Sequence, residues 1–325
     1  MRERVLELLR EKQGEFVSGE DLSSKLGISR TAVWKHIQGL RREGYRIEAR
    51  PRQGYLLSSL PDLLVPRELI RELARDRLGS EIHHYQTLDS TNRKAKDLAA
   101  HGAAEGTVVI AEEQTAGAGR MGRNWFSPAG KGIWMSVILR PTMLPADAPK
   151  ITLLSAVATV RAIEDLYGLP AAIKWPNDVL ISGKKVCGIL TEMVGEMDAL
   201  HYLVVGIGIN ANLEERDFPP PLRRRATSLK VELGRKVDRR ALTVQCLRKL
   251  GQVYTLLEEE GFAPVLRLWK RYSATLGEQV VVQTPSERIE GRAVDVDADG
   301  ALWVQTWYGR RRVVAGDVTL RGESP

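Results

Sequence analysis

Cysteine is nearly absent from this 325-residue chain: Cys187 and Cys246 stand far apart and form no Cys-x-x-Cys pair. A Cys-rich zinc site and a disulfide framework are thereby excluded, and a reducing compartment is the natural fit. Histidine is sparse and shows no metal spacing; His83-His84 reads as strand-edge surface rather than a ligand pair. No apolar run approaches membrane-spanning length, and Met1-Arg2-Glu3-Arg4 opens no signal-peptide core. A cytoplasmic chain without a membrane partner is expected. A GxxxxGK[ST] phosphate loop is also missing. Composition is otherwise that of a globular protein, with length enough for two or three domains.

Charge is present but unevenly placed. Of the net +7, residues 1–60 hold 12 Lys/Arg against 8 Asp/Glu, hence +4, and Arg30 to Arg52 counts seven against two. Such a local excess fits a polyanion, though a solvated surface is the plainer alternative. Val5, Leu6, Leu8 and Leu9 predict a helix over 2–12. Ser18 caps a short second helix with Leu22 and Leu26 inward, and Gly27 ends it. Ser29 caps a third, Arg30 to Arg42, with Val33, Ile37 and Leu40 as its buried stripe. That is helix–turn–helix spacing. Gly19, Ser29, Arg30, Thr31, Lys35, His36 and Gln38 become candidate DNA contacts. Residues 43–48 and 54–57 read as a β-wing with Arg50 and Arg52 at its tip; protein docking is the alternative use of such a motif.

Residues 58–66, with two prolines and no periodicity, read as a linker, followed by a helix from Pro66 to Leu78. Beyond a short strand at 82–85, Ser90, Thr91 and Asn92 open a helix running to His101. They serve either as its cap or as hydrogen-bonding groups for a neutral polar ligand. Gln114 ends the next strand, immediately before Gly117-Ala118-Gly119-Arg120-Met121-Gly122-Arg123-Asn124-Trp125. Glycines permit positive φ and close approach, and arginine forks suit carboxylate or phosphate, so this loop reads as a clamp over an anion. Its glycine spacing matches a Rossmann fingerprint, but strand rather than helix follows; a flexible surface hairpin is the alternative.

A core helix is expected from Pro149 to Tyr167. Next comes Lys174-Trp175-Pro176-Asn177-Asp178, where Asp178 could hold Mg²⁺ and Lys174 neutralise phosphate. Lys184-Lys185 starts another strand, and 203–210 is an apolar strand closed by Asn210. Residues 211–226 read as a mobile flap, then helices from 226 and from Asp238 to Glu260. After Thr275, strands at 279–283, 289–296, 302–306 and 312–314 predict a small β-barrel.

In this order, Ser90-Thr91-Asn92, Gln114 with the glycine loop, Lys174–Asp178, Lys185 before Gly188-Ile189-Leu190, and Gly206-Ile207-Gly208-Ile209-Asn210 resemble the bifunctional biotin protein ligases that double as biotin-operon repressors. The resemblance covers nearly the whole chain. It implies a multidomain α/β (α+β) architecture: a winged helix–turn–helix over 1–60, a class II synthetase-like mixed α/β ligase domain over 61–274, and an SH3-like C-terminal barrel over 275–325. It implies formation of biotinyl-5′-AMP from biotin and ATP, with Mg²⁺, and transfer to a lysine of a biotin carboxyl carrier protein such as that of acetyl-CoA carboxylase. It also implies repression at operator DNA by a ligand-promoted homodimer. By the same resemblance, biotin is held by Ser90, Thr91, Asn92, Gln114, Gly117, Ala118, Gly119, Arg120, Lys185, Gly188 and Gly206. ATP is held by Arg120, Arg123, Trp125, Lys174, Asn177, Asp178, Asn210 and Arg321, and Lys185 with Arg120 carries the chemistry. Ala118 departs from the family, which often has arginine there, and Met121 replaces a residue that is often basic.

Two rival readings remain. A lipoate-type ligase would share the catalytic fold, but the N-terminal winged helix and the GxGRxGR loop argue against it. A biotin-sensing repressor without catalysis would not need the phosphate-side cations Arg120 and Lys185.

Overall fold

Val5, Leu6 and Leu9 fall on one face of α1 (Arg2–Glu11), and that face is buried. The computed structural model describes residues 1–12, 14–42, 44–59, 64–196 and 198–320. Glu43 of the wing, the linker positions 60–63 and Arg321 lie outside the described residues. Two compact units divide between residues 63 and 64.

In the first unit, α2 (Gly19–Leu26) begins where the Ser18 hydroxyl accepts from the Asp21 amide at 3.0 Å, and ends at Gly27 with φ 64°. Ser29 accepts from the Ala32 amide at 3.2 Å to start α3 (Arg30–Arg42). The buried stripe Val33, Ile37 and Leu40 joins Val5, Leu6, Leu9, Leu22 and Leu26 in one core. The opposite face leaves Ser29, Arg30, Thr31 and Lys35 exposed, with His36 and Gln38 half-buried. β1 (Arg46–Arg50) starts only after Tyr45 has turned into the core, and pairs antiparallel with β2 (Gly54–Ser59). Arg50 and Arg52 stand exposed at and beside their turn.

In the second unit, α4 (Pro66–Glu72) stops short of Leu78, because Leu73 and Leu78 are drawn into the core through bends. There follow β3 (Ile82–Leu88), α5 (Thr91–Ala100), β4 (Val108–Gln114), β5 (Ile133–Leu139) and α6 (Ala148–Tyr167). Next are β6 (Ala172–Lys174), β7 (Asp178–Ile181), β8 (Lys184–Gly195) and β9 (Leu200–Ile209). The strands form a sheet in the order β3-β4-β5-β9-β8-β7-β6, parallel only between β3 and β4. Both faces of β9 are covered, which is why it is apolar throughout. Leu203, Val205, Ile207 and Ile209 join the large core with residues of α6, while Val204 meets Ala95 and Ala99 of α5.

After β9 come α7 (Leu229–Leu233), α8 (Arg239–Glu260) and α9 (Phe262–Arg271), which buries Val265 and Trp269 and was not anticipated from the sequence. The C-terminal sheet comprises β10 (Gln279–Gln283), β11 (Arg288–Val296), β12 (Leu302–Thr306), β13 (Gly309–Val313) and β14 (Asp317–Leu320), all antiparallel in the order β13-β12-β11-β10-β14. It belongs to the same compact unit, held there by Trp175. That indole donates to the Gly300 carbonyl at 3.0 Å, and its amide donates to Thr275 Oγ1 at 2.9 Å. Cys187 and Cys246 are buried in the core; burial pushes the Cys246 thiol up to about 12. Among the described residues no helix is long and apolar enough to cross a membrane.

Candidate functional site

A cavity of about 900 Å³ opens over one end of the central sheet, bordered by the N-terminus of α5, the glycine loop, the starts of β7 and β8, residues 218–226 and β14. Ser90, Thr91, Asn92, Gln114, Ala118, Gly119, Arg120, Arg123, Trp125, Lys174, Asn177, Asp178, Lys185, Gly188, Gly206 and Asn210 all line it. Gly117 is set back, packed against the Trp125 carbonyl and Ser127.

One end is neutral. Ser90 caps α5, and the Thr91 amide and hydroxyl donate to Gln114 Oε1 at 2.8 and 3.0 Å. That fixes the Gln114 amide, whose nitrogen donates to Ser127 Oγ at 2.9 Å. Asn92 Nδ2 donates to the Leu190 carbonyl and the Glu192 carboxylate, and Asn92 Oδ1 lies 2.6 Å from the buried Ser136 hydroxyl. The protein therefore uses every polar atom of the Asn92 amide, and the residue braces the wall. A methyl group at Gly206 would sit 2.2 Å from Asn92 Oδ1. Gly206→Ala is expected to destabilise the fold by about 1–3 kcal/mol through overpacking, read as a lowered thermal midpoint. An unchanged midpoint would mean the Asn92 brace yields freely.

The other end is charged. Lys185 Nζ lies 2.6 Å from Asp178 Oδ1 and 5.1 Å above the Trp125 ring. Trp125 in turn packs over Gly208 and meets Trp134 edge-on at 6.4 Å. Arg120 Nη1 donates to Asn177 Oδ1 at 3.2 Å and to the Gly316 carbonyl at 3.3 Å, while Arg123 pairs with Asp317. Burial pulls the Arg120 pKa down, against the opposing influence of Asp317 and Asp178. Desolvated guanidinium of this kind gains most from an incoming anion. Asn177 Nδ2 is committed to the Ile189 carbonyl and Asn210 Nδ2 to the Thr227 carbonyl, at 2.8 and 3.0 Å.

Geometry refines one expectation and corrects another. The positive φ values in the glycine loop fall on Met121 (54°) and Gly122 (72°), so Gly122 is where conformational freedom is needed; Gly119 is extended. Residues 211–226 are not a free flap: Leu213 and Phe218 are buried with Trp134, and the Lys185 amide donates to the Arg225 carbonyl at 2.8 Å. The C-terminal sheet reaches the site through Gly316 and Asp317, while Arg321, the residue expected there, lies outside the described residues. Sequence reading missed Gly316 and Asp317, along with Ser136 and Glu192. Nothing local marks a partner nearly two hundred residues away, although the hydroxyl of Ser136 inside an apolar strand was a readable signal.

Three family models match the chain. They are a helix–turn–helix domain over residues 2–56, the biotin/lipoate A/B protein ligase family over 84–210, and the biotin protein ligase C-terminal domain over 275–321. Fold and site thus define a biotin/lipoate-type ligase joined to a helix–turn–helix unit. The bifunctional ligase/repressor BirA of Bacillus subtilis is 42% identical over 98% of both chains. Its namesake in Escherichia coli is 32% identical over 95% of this chain and 94% of its own. The chain belongs to the family of bifunctional biotin protein ligases and repressors. The Aquifex aeolicus biotin protein ligase, solved in complex with biotin and ATP, has a TM-score of 0.66 and 29% identity, covering 74% of this chain and 98% of its own.

Proposed function

We propose that the cavity binds biotin at its neutral end and ATP at its charged end, and that the enzyme passes the biotinyl group to a lysine of a biotin carboxyl carrier protein. The observation that carries this reading is the convergence of Lys185, Arg120 and Arg123 beside Ser90, Thr91 and Gln114 in one cavity. In the first step a biotin carboxylate oxygen attacks the α-phosphorus, the bond to the bridging oxygen breaks, and pyrophosphate leaves. Two anions at 4 Å repel by roughly 4 kcal/mol at an effective dielectric of 20. Lys185 and Arg120 offset that repulsion and stabilise the charge growing on the phosphoryl oxygens. In the second step the carrier lysine amine attacks the acyl carbon, AMP departs, and the amine's proton is lost.

Among the described residues no three His, Cys, Asp or Glu side chains group to hold a metal. The donor set fits Mg²⁺ through one carboxylate, Asp178, with nucleotide oxygens and water completing the shell. Bound there, the ion would neutralise phosphate charge. Lys174 and Trp125 border the nucleotide end, and Asn177 and Asn210 hold its backbone in place. Biotin-dependent exchange of labelled pyrophosphate into ATP tests the first step; exchange that does not need biotin would refute it.

The domain assignment that goes with this reading is DNA binding over 1–60, ligation over 61–274 and a C-terminal domain over 275–325. The first unit binds operator DNA in the cytoplasm as a homodimer promoted by the adenylate. Lys35→Ala on the exposed face of α3 is expected to weaken operator binding and to flatten its salt dependence by about one unit of log–log slope. Fluorescence anisotropy across a salt series reads both. Equal sedimentation of apo and adenylate-bound protein would contradict the dimer.

A further inference from the structure

The cavity lining is far more cationic than its resident carboxylates can balance. Arg120, Arg123, Lys174, Lys184, Lys185, Arg224 and Arg225 face Asp178 and Asp317, seven against two. Lys185 is paired with Asp178 and Arg123 with Asp317. Lys184 and Arg224 differ from those: among the described residues neither side chain forms a hydrogen bond or an ion pair. Arg224 is exposed and Lys184 half-exposed. They sit on neighbouring segments at the edge of the cavity, one at the start of β8 and one on the stretch whose Arg225 carbonyl accepts from the Lys185 amide at 2.8 Å.

On the reading given under Proposed function, the five cations other than Lys184 and Arg224 exceed the two carboxylates by three, which suits ATP with Mg²⁺ and the biotin carboxylate together and leaves Lys184 and Arg224 outside that balance. The balance changes after the first step. Once pyrophosphate has left, the acyl-adenylate keeps a single phosphate charge, and the entrance is left strongly positive just when the acceptor must arrive. Buried groups near the reacting centre stay matched to that phosphate. The surplus falls on the rim, where charges act within a Debye length of roughly 8 Å at physiological salt. Fields of this kind steer an oppositely charged partner and suppress the wrong ones.

We infer that Lys184 and Arg224 form a docking rim for the acceptor, and that the rim selects an acidic protein segment flanking the acceptor lysine. The inference rests on the biotin-ligase reading and adds to it the chemistry of the partner surface. Neither residue touches the reacting atoms, so both act by placing the acceptor.

The test follows transfer from preformed biotinyl-5′-AMP to two synthetic peptides of equal length, each with one lysine, flanked by glutamates in one and by glutamines in the other. Wild type is expected to favour the acidic peptide at least tenfold in kcat/KM, mostly through KM, with a preference that fades as salt rises. In Lys184→Gln/Arg224→Gln that preference is expected to fall to within twofold, while biotin-dependent pyrophosphate exchange stays within twofold of wild type. Equal use of the two peptides by wild type would overturn the inference. So would a double variant that loses pyrophosphate exchange yet keeps its preference, since the two cations would then serve the triphosphate. Failure of the ligase reading looks different: wild type would then support no biotin-dependent exchange at all.

Discussion

Replacing Lys185 by glutamine is expected to lower the rate of adenylate formation by about 10²–10³, with little change in the affinity for biotin. Its ammonium stands 2.6 Å from Asp178 and over the Trp125 ring, at the border between the neutral and charged ends of the cavity. Positive charge there matters most when a carboxylate and a phosphate are forced together, so its loss falls on the transition state rather than on either ground state. Glutamine is one atom shorter than lysine but is still long, polar and able to hydrogen-bond, so the main change is the loss of charge. Lys185 is about a third exposed, so the fold is expected to survive. Single-turnover measurement of adenylate formation reads the effect. A variant that slows only biotin binding would remove Lys185 from the chemistry and leave it a ligand anchor.

The second large effect concerns stability. Glu112 and Arg239 form an ion pair at 2.8 Å inside the core, 3% and 0% exposed. Glu112 Oε1 also accepts from the Leu64 amide at 3.0 Å and lies 3.1 Å from His84 Nε2. Arg239 Nη1 donates further to the Gly132 carbonyl at 3.0 Å. One carboxylate thus ties the start of the second unit, β3, β4 and α8 together. Glu112→Ala is expected to cost about 3–5 kcal/mol, because it strands a buried guanidinium. Glu112→Leu/Arg239→Met should recover most of that loss, since removing both charges removes both desolvation costs. Chemical denaturation of the three proteins separates these outcomes. A single variant as stable as wild type would show that water already reaches the pair.

The pH dependence has a definite sign. Burial works against ionisation of Glu112, yet the His84 hydrogen bond, Arg239 and the Leu64 amide bring it down to about 2 from 4.5. A depressed carboxylate contributes stability above its unfolded pKa and loses it as pH falls through the folded one. Wild type should therefore lose roughly 3 kcal/mol of stability between pH 5 and pH 2 that the double variant does not lose.

The sequence carries further for the local elements of the fold than for the long-range partners of the site. Local capping was legible: Ser18, Gly27 and Ser29 set the boundaries of α2 and α3 by bonds spanning three or four residues. Periodicity was enough to place α6, β9 and most of the C-terminal strands. The end of α4 was misplaced because Leu73 and Leu78 fit a helical stripe equally well, and only tertiary packing bends the chain between them. The mobile reading of 211–226 came from its prolines and arginines, while burial of Leu213 and Phe218 under Trp134 decided otherwise. At the site, residue types and their order pointed to the cavity wall. What escaped were the long-range partners: Asp317 for Arg123, Gly316 for Arg120, and Glu192 for Asn92. Each pairing joins segments that nothing local in the sequence connects.

Most directly at stake is the claim that one cavity both makes the adenylate and hands it on. Purified protein is charged with biotinyl-5′-AMP, freed of ATP and unbound ligand, and mixed with a biotin carboxyl carrier domain. Stoichiometric amide formation at one carrier lysine, with release of AMP, is the expected result. An adenylate that stays bound and is never transferred, while the protein still binds operator DNA, would contradict it and leave a biotin-sensing repressor.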